Sequence, residues 1–397
     1  MLISSGLALL PTVIEAVLTL LTLSGLVYLL LALWATRDFV HRWRGSRGGG
    51  ANGADVTILK PVKGIDARMY AGLTSHCRQE YAGSFEIIFG VSSMDDPAVG
   101  EIARLRAEFP NVAIRLVECT ERLGASGKVS NLVQMLREAR YDHVVINDSD
   151  ILVTPRYLER VMSGFWNDRV GMVTAPYLGR TAEGGDGLTI WARLEALGIS
   201  TDFIPGALTA RKLEGGIHFG LGSTLAMTKA ALAAIGGLEP LTDHLADDYE
   251  LGHRISEAGY LVELCAETVE TSVPAYAFRG FWDHQLRWAR STRDSRKLGY
   301  LGLGSTYCLP WALLTIVASG FALWSFTLLS LVLLARIAVA LTVGVGVLND
   351  RQVLRDLWLL PVRDCFGLLF WMWSFAGDTV VWRGEVFRLR DGRISLA

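Results

Sequence analysis

Residues 144–151 decide the fold of this chain and read Val144-Val145-Ile146-Asn147-Asp148-Ser149-Asp150-Ile151. A run of β-branched apolar residues that ends in two acidic side chains is typical of a buried parallel strand with carboxylates at its carboxyl edge. Ligands of open α/β sheets bind at that edge. Alternation along an extended chain puts Asp148 and Asp150 on one side and Ser149 on the other. The pair can therefore hold Mg²⁺ or Mn²⁺ with a diphosphate; a solvated Asx turn is the alternative.

Short apolar strands alternate with amphipathic helices around this segment, from residue 55 to about residue 279. The pattern predicts strands at 56–59, 86–91, 113–117 and 144–147, and helices at 68–78, 99–108 and 128–140. Such alternation indicates a mostly parallel sheet covered by helices on both faces, with a nucleotide over its carboxyl edge. No G-x-G-x-x-G follows a strand, which argues against a dinucleotide-binding enzyme.

The composition indicates a membrane protein. Hydrophobic residues make up 51% of the 397 residues and the mean hydropathy is +0.33, both too high for a wholly soluble chain. The balance of 38 basic and 40 acidic residues gives no argument for a nucleic-acid partner. The five cysteines lack metal-ligand or redox spacing, so we expect reduced thiols.

An apolar run at residues 12–35, broken only by Glu15, is long enough to cross a bilayer. By the positive-inside rule its carboxyl end is cytoplasmic, because basic residues follow at once, namely Arg37, His41, Arg42, Arg44 and Arg47. We therefore predict an uncleaved anchor at 1–36 and a basic, glycine-rich linker at 37–54. A secretory signal peptide is the alternative, but no small-residue cleavage site follows the run.

A second apolar region lies near the end of the chain. Residues 309–348 carry one charge, Arg336, and suffice for two passes, whereas 357–382 are interrupted by Pro361, Arg363 and Asp364. Because the following residues 383–397 are basic, we predict two full passes plus a re-entrant or third segment within 306–382, and a cytoplasmic tail.

The stretch 279–305 precedes these passes and is rich in tryptophan and basic residues at 281–290. Such a composition suits a helix in the membrane interface with its arginines toward headgroups. Arginine and tryptophan can equally frame an anionic diphosphate and a hydrophobic acceptor. The two interpretations are compatible.

Several other segments carry candidate chemistry. The loops 60–66 and 92–97 follow the first two predicted strands. The segment 124–128 opens a helix. Its N–H groups and Lys128 could bind a phosphate, or Ser126 could be no more than the start of the helix. Residues 222–227 lead into a predicted helix that ends at 236–237. The acidic segment 243–251 opens another helix, either as capping or as the source of a general base for an acceptor hydroxyl.

Taken in their order along the chain, several short sequence blocks resemble those of the ceramide glucosyltransferase family. The resemblance rests on residues 60–66, 95–98, 128 with 131, 148–150, 246–249, 287–288, 382–384 and 387–390. Within that family, 244–249 and 284–290 look most like the bacterial hopanoid-biosynthesis branch, whose members move N-acetylglucosamine from its UDP donor to bacteriohopanetetrol.

The resemblance implies an α/β domain of the GT-A type at 55–278, an inverting mechanism, a UDP-sugar donor and a divalent metal. It makes Asp248 the catalytic base and matches Arg287 and Trp288 to the end of a Q/R-x-x-R-W motif, in which His284 replaces the first residue. It assigns the metal to Asp148 and Asp150. The residues that it assigns to the nucleotide are Lys60, Pro61, Asp95, Asp96, Lys128, Asn131 and Asp148.

The prediction is thus a multi-pass enzyme of the bacterial inner membrane, with a cytoplasmic catalytic domain, that moves N-acetylglucosamine from UDP to bacteriohopanetetrol. A ceramide glucosyltransferase that uses UDP-glucose, a processive polysaccharide synthase and a non-catalytic membrane scaffold are the alternatives. Residues 188–213, which mix Trp191 and Phe203 with charged side chains, are expected to form an adaptable lipid-side flap. The assignment requires Asp248 to lie close to Asp148 and Asp150.

Overall fold

The computed structural model describes residues 2–45, 53–66, 68–181, 188–382 and 384–396. The described residues form a central seven-stranded sheet and a separate pair of strands, β6 (Tyr177–Arg180) and β9 (Val269–Ser272). The strands of the central sheet are β1 (Val56–Pro61), β2 (Phe85–Val91), β3 (Ala113–Glu118), β4 (His143–Ile146), β5 (Val170–Thr174), β7 (Leu225–Thr228) and β8 (Leu261–Leu264).

The sheet has the strand order β3-β2-β1-β4-β7-β5-β8. Strand β7 runs antiparallel to both of its neighbours, and the other pairs are parallel, so the predicted mostly parallel sheet is confirmed. Strand β1 lies between β2 and β4. The chain therefore leaves β1 and β4 in opposite directions, and the carboxyl ends of these two strands border the crevice in which such sheets bind ligands.

Helices cover both faces of this sheet. They are α2 (Met69–Cys77), α3 (Ala98–Glu108), α4 (Gly127–Arg137), α5 (Tyr157–Met162), α8 (Lys229–Ala234) and α9 (Asp247–Glu257). Along β4, Val144 and Ile146 pack in one hydrophobic cluster and Val145 packs in the other. Strand β4 is thus buried on two sides, which explains its unbroken apolar sequence. The predicted helices α2 to α4 begin and end within three residues of the observed ones.

Two helices in the described part of the chain are long and apolar enough to cross a membrane, which confirms helical membrane segments at both ends. The first is Leu10–Arg42 within α1 (Leu2–Gly45), and the second is Leu323–Val345, formed by α13 (Leu323–Val339) and a π-helical turn. A third candidate is the pair Lys297–Thr306 and Cys308–Ala318, bent by 51°. It contains α11 (Lys297–Leu303) and α12 (Cys308–Ala318). Residues 46–52 of the predicted linker, with Arg47, lie outside the described residues.

The predicted flap is instead part of a firmly packed helical run. It comprises α6 (Ile190–Gly198), a π-helical turn (Ile199–Phe203) and α7 (Ile204–Leu213), and α7 packs against α1. Arg336 of α13, 3% exposed, pairs with Asp202 of the π-helical turn and lies 2.8 Å from Asp364. Charged groups buried together in this way hold their helices in one arrangement, because separating them would leave a charge without a partner.

The end of the chain folds back onto the catalytic domain. After α14 (Gln352–Asp356) and α15 (Leu360–Ser374), the strands β10 (Thr379–Trp382), β11 (Glu385–Arg390) and β12 (Arg393–Leu396) form an antiparallel sheet. The Leu245 N–H donates to the Gly392 carbonyl at 3.1 Å, and the Ile394 N–H donates to the Asp243 carbonyl at 2.7 Å. The predicted basic tail is therefore a sheet seated against the segment that precedes α9.

The tryptophan-rich stretch forms α10 (Phe278–Ser295), which packs against α15, α6 and β10. The prediction that its arginines face headgroups is wrong for Arg290, which is buried and donates to the carbonyls of Ala376 (3.1 Å) and Thr379. Ala376 lies just beyond the end of α15, where backbone carbonyls lack helical partners and attract a cation.

Candidate active site

Asp148 and Asp150 lie on the turn after β4 rather than on the strand itself, which ends at Ile146. The buried side-chain amide of Asn147 anchors this turn, because it donates to the Ser223 carbonyl at 2.7 Å in the loop before β7. Ser149 is buried while both acidic residues are partly exposed. The two carboxylates therefore border the crevice and the serine faces the interior, although the turn, rather than the alternation of an extended strand, places them.

Lys60 supports the same turn from inside the protein. Its side chain is 0% exposed, and its ammonium donates to the backbone carbonyl of Asp148 at 2.9 Å and lies 3.4 Å from His76 Nε2. Burial lowers the pKa of Lys60 to about 7, although Asp150 and Asp148 oppose the shift. The residue predicted to bind the nucleotide thus holds the backbone beneath the crevice.

Asp150 is fixed by the second small sheet. Its Oδ2 accepts hydrogen bonds from the Thr271 hydroxyl at 2.7 Å and from the Ser272 N–H at 2.9 Å, both on β9. Burial, followed by the charge of Asp148, raises the pKa of Asp150 above its usual value. A second acidic group in a buried position favours a bound cation, which would relieve this repulsion.

Lys128 joins the Asp148 turn to the start of α9. Its ammonium lies 2.9 Å from Asp148 Oδ1 and 3.2 Å from Asp247 Oδ2. Burial acts against the charged form, but the two carboxylates raise the pKa of Lys128 above its usual value. Ser126 caps α4 by accepting from the Val129 N–H, so the segment 124–128 is a capped helix start whose lysine is a permanent cation in the crevice.

Asp248 lies in the first turn of α9, beside this lysine. Its Oδ1 accepts from the Tyr249 N–H at 2.8 Å, and its Oδ2 lies against Gly222, where an added Cβ would be 2.8 Å away. Burial, and then the charge of Asp247, raises the pKa of Asp248 to about 6, while Lys128 opposes the shift and Asp148 adds a smaller increase. The proximity to the Asp148 turn that the assignment requires is therefore present.

The remaining nucleotide-binding candidates shape the neighbouring loops. Both oxygens of Asp96 accept from the Gly64 N–H at 3.0 Å, and Oδ1 also accepts from the Ala98 N–H at 2.9 Å. Asp96 thus joins the loops after β1 and β2, with Asp95 exposed beside it. The Ser92 hydroxyl donates to the buried Asn131 at 3.2 Å, and Pro61 is buried at the end of β1.

His284, Arg287 and Trp288 occupy one face of α10, because residues three and four apart are neighbours on a helix. The ring centroids of His284 and Trp288 are 4.8 Å apart, and Trp288 lies 6.4 Å from Phe203. Phe203 in turn lies 5.5 Å from Tyr177. These rings form one wall of the site, hereafter the aromatic wall (Tyr177, Phe203, Trp288, His284 and Tyr276).

The aromatic wall faces the acidic residues. Burial first, and then the charges of Asp248 and Glu195, raise the pKa of Tyr177 above its usual range. No sequence motif singles out Glu195, which lies on α6, is buried, and accepts from His284 Nδ1 at 2.9 Å. Its only sequence signal is an acidic residue within the otherwise apolar segment 194–199.

The donor set fits a hard cation shared with a substrate. Among the residues that the structure describes, no group of three or more histidine, cysteine or acidic side chains is close enough to hold a metal ion by itself. Asp148 and Asp150 supply two carboxylates. Mg²⁺ and similar ions are commonly held by one or two carboxylates, with substrate phosphates and water completing the shell.

Comparisons with known proteins agree with this arrangement. Ceramide glucosyltransferases 3 and 1 of Caenorhabditis elegans are 25% identical over 236 residues and 26% identical over 237 residues, 59% of this chain in each case. The aligned parts are 50% and 49% of those proteins, so the chain spans about half the length of these curated relatives. The ceramide glucosyltransferase of Komagataella phaffii is 37% identical over 109 residues, which is 26% of this chain and 21% of that protein.

The fold has a counterpart among solved structures. The mannosyltransferase PcManGT from Pyrobaculum calidifontis, in complex with GDP-Man and Mn²⁺, aligns with a TM-score of 0.50 and 19% identity over 91% of this chain and 97% of that one. This likeness shows a GT-A-like fold. The profile of "Glycosyl transferase family 21" matches residues 17–395. The chain therefore belongs to glycosyl transferase family 21, a family of sugar-transferring enzymes.

Proposed function

We propose that this protein transfers one sugar from a nucleotide-sugar donor to a hydroxyl group of a membrane lipid, with inversion at the anomeric carbon. The observation that carries the proposal is the cluster built around Lys128. Its ammonium contacts Asp148 of the candidate metal turn and Asp247, the neighbour of the candidate base Asp248. A cation site, a cation and a base thus lie together beside the aromatic wall.

Asp248 is the proposed general base. It takes the proton from the attacking lipid hydroxyl while the hydroxyl oxygen bonds to the anomeric carbon, and the bond between that carbon and the diphosphate oxygen breaks with its electron pair. A carboxyl group with a pKa of about 6 is mostly ionised at neutral pH and still basic enough to accept this proton.

The main electrostatic requirement of the step is to stabilise the negative charge that develops on the leaving diphosphate. A divalent cation held by Asp148 and Asp150 would neutralise part of this charge. Lys128 keeps its own positive charge in the same crevice, and Arg287 presents a guanidinium from α10. Arginine suits this task because its planar donors match phosphate oxygens.

The acceptor lipid enters from the membrane side, where α6 carries Trp191 and the π-helical turn after it carries Phe203. Phe203 is partly exposed and lies beside Tyr177 and Trp288 of the aromatic wall. A bilayer surface at this position would place a lipid hydroxyl near Asp248.

The position of the C-terminal sheet supports the proposed topology. Because it packs on the segment before α9, the chain must cross the membrane an even number of times between the catalytic domain and residue 396. The bent pair with α12 and the helix with α13 supply two crossings. Helix α15 has 15 residues, a length of about 22 Å, which is shorter than a hydrocarbon core of about 30 Å. With the basic residues after the anchor, this supports a cytoplasmic catalytic domain. The bacterial inner membrane is proposed on the likeness to the hopanoid branch alone.

For the substrates we propose UDP-N-acetylglucosamine and bacteriohopanetetrol, on the likeness of residues 244–249 and 284–290 to the hopanoid branch. Transfer of glucose to ceramide is the second candidate, supported by the names of the curated relatives. A processive synthase fits less well, because such enzymes usually have more transmembrane helices than the two or three candidates in the described residues.

The test is release of UDP by the purified full chain, measured with and without lipid extract, together with mass spectrometry of the lipid product. Asp248→Asn should lower lipid-dependent release about 100- to 10,000-fold, whereas Asp142→Asn, a matched change at an exposed position, should leave it unchanged. A polymeric product would favour the synthase. UDP release that does not depend on lipid, or no turnover of any nucleotide sugar, would contradict the proposal.

A further inference from the structure

Glu195 is a further carboxylate of the site, and it comes from α6, outside the sequence blocks that carry the family resemblance. Its side chain is 3% exposed. Its charge acts on the tyrosines at both ends of the aromatic wall: after burial, Glu195 is the largest contribution that raises the pKa of Tyr276, and it acts on Tyr177 as well. A carboxylate that is buried and also borders the crevice requires a partner.

One oxygen of Glu195 receives two donors. Its Oε2 lies 2.9 Å from His284 Nδ1 and 3.2 Å from the side-chain nitrogen of Gln285. Because the Gln285 amide donates to this oxygen, the oxygen is an acceptor. The hydrogen in the contact with His284 is therefore carried by Nδ1. Glu195 thereby fixes the orientation of the histidine ring, with Nδ1 toward α6.

The ring of His284 is also held on both sides. Its centroid lies 5.6 Å from that of Tyr276 and 4.8 Å from that of Trp288. With Nδ1 bonded to Glu195, Nε2 points away from α6, and it hydrogen-bonds no other residue that the structure describes. Arg287 follows on the same face of α10.

We propose that Glu195 is a positioning residue for sugar transfer, which directs His284 Nε2 toward the ligand that Arg287 also binds, a phosphate oxygen of the leaving nucleoside diphosphate. The inference rests on the proposed function. The arginine or glutamine usual at position 284 of the motif can donate to phosphate unaided. A histidine whose Nδ1 hydrogen is already engaged donates from Nε2 only as an imidazolium. The Glu195 carboxylate balances that charge, so the histidine variant of the motif needs this partner.

A double-mutant cycle tests the proposal in the full-length enzyme. Glu195→Gln should lower kcat about 10- to 100-fold in the wild-type background, the range expected for loss of one charge-assisted hydrogen bond. In the His284→Gln background the same change should cost less than about threefold, because a glutamine at 284 donates without a carboxylate. The donor KM should change less than kcat, since the contact strengthens as the diphosphate leaves.

Gln285→Leu is the matched control, since it removes the second donor to Glu195 without changing His284. It should leave kcat within about threefold of the wild-type value, although the loss of this buried hydrogen bond lowers the thermal unfolding midpoint. Should the Glu195→Gln variant fail to fold, Glu195→Asp, which keeps the charge but withdraws the oxygen, takes its place with the same expectation.

Two outcomes separate this inference from the proposed function. An equal cost of Glu195→Gln in both backgrounds would mean that the residue acts through packing of α6 on α10, and would overturn the inference alone. A wild-type enzyme that transfers no sugar would overturn the proposed function and the inference together.

Discussion

Replacing Lys128 with methionine should move the acidic limb of the pH–rate profile to higher pH, and replacing Asp247 with asparagine should move it to lower pH. Both residues act on the ionisation of Asp248, with opposite signs. Removing the positive charge of Lys128 disfavours the ionised carboxylate and raises its pKa. Removing the negative charge of Asp247 favours the ionised form and lowers the pKa.

The expected fall of kcat/KM along the acidic limb follows from the pKa of about 6 for Asp248. A base with this pKa is roughly 90% ionised at pH 7 and roughly 10% ionised at pH 5, so kcat/KM should fall roughly tenfold between these values. In Asp248→Asn the limb should vanish, and kcat should drop about 100- to 10,000-fold, as expected for loss of a general base.

The assay is lipid-dependent UDP release between pH 5 and pH 8, with kcat/KM taken at each pH because it reports the free enzyme. Lys128 also contacts Asp148, so the methionine variant should lose some rate at every pH. The position of the limb, rather than the height of the profile, is the diagnostic quantity. Limbs that shift in the same direction in both variants would refute the assignment of the limb to Asp248.

Three further predictions follow from single contacts. Gly222→Ala places a methyl group 2.8 Å from an oxygen of the proposed base Asp248, so kcat should fall at least about tenfold with an unchanged unfolding midpoint. Gly100→Ala, whose Cβ meets nothing within 4 Å, should preserve kcat and add up to about 1 kcal/mol of stability. Asp150→Asn should raise the Mn²⁺ concentration for half-maximal rate at least about tenfold in a metal titration. Substitution of a residue that only supports a metal ligand already lowers metal affinity about 10- to 100-fold. Arg336→Met should cost about 3–5 kcal/mol of unfolding free energy because it leaves Asp364 buried without its partner, and adding Asp364→Leu should restore most of the loss; a double variant as unstable as the single one would contradict this.

The alternation of the central sheet could be predicted because each strand carries its own periodicity. Strands β1 to β4 and helices α2 to α4 satisfy local rules of apolar spacing, so their positions follow from the sequence. Strands β5 to β9 were not predicted, and β7 shows why. Its residues Leu225-Ala226-Met227-Thr228 have little β-propensity, and the strand exists because β4 and β5 supply antiparallel partners from far along the chain.

The same distinction applies to the candidate site. Asp148, Asp150 and Asp248 were predicted because they lie in short blocks that mark the family. Glu195 and Lys60 depend on contacts between distant elements: Glu195 reaches α10 from α6, and Lys60 holds the Asp148 carbonyl from beneath the sheet. The local sequence is the same whether a lysine contacts a bound nucleotide or is buried beneath the loop, so only the packing distinguishes the two roles.

The packing of the C-terminal sheet is stronger evidence than the charge of its arginines for the side of the membrane on which these strands lie. The arginines that indicated a cytoplasmic tail, among them Arg388 and Arg390, alternate with the buried Phe387 and Leu389 along β11, and so they form the polar face of a strand. Phe387 and Leu389 pack in one cluster with Leu245, three residues before Asp248. A segment that packs beside the proposed base Asp248 must lie on the same side of the membrane as that residue. The C-terminal membrane helices must then return the chain to the catalytic domain, whatever the charge of the tail.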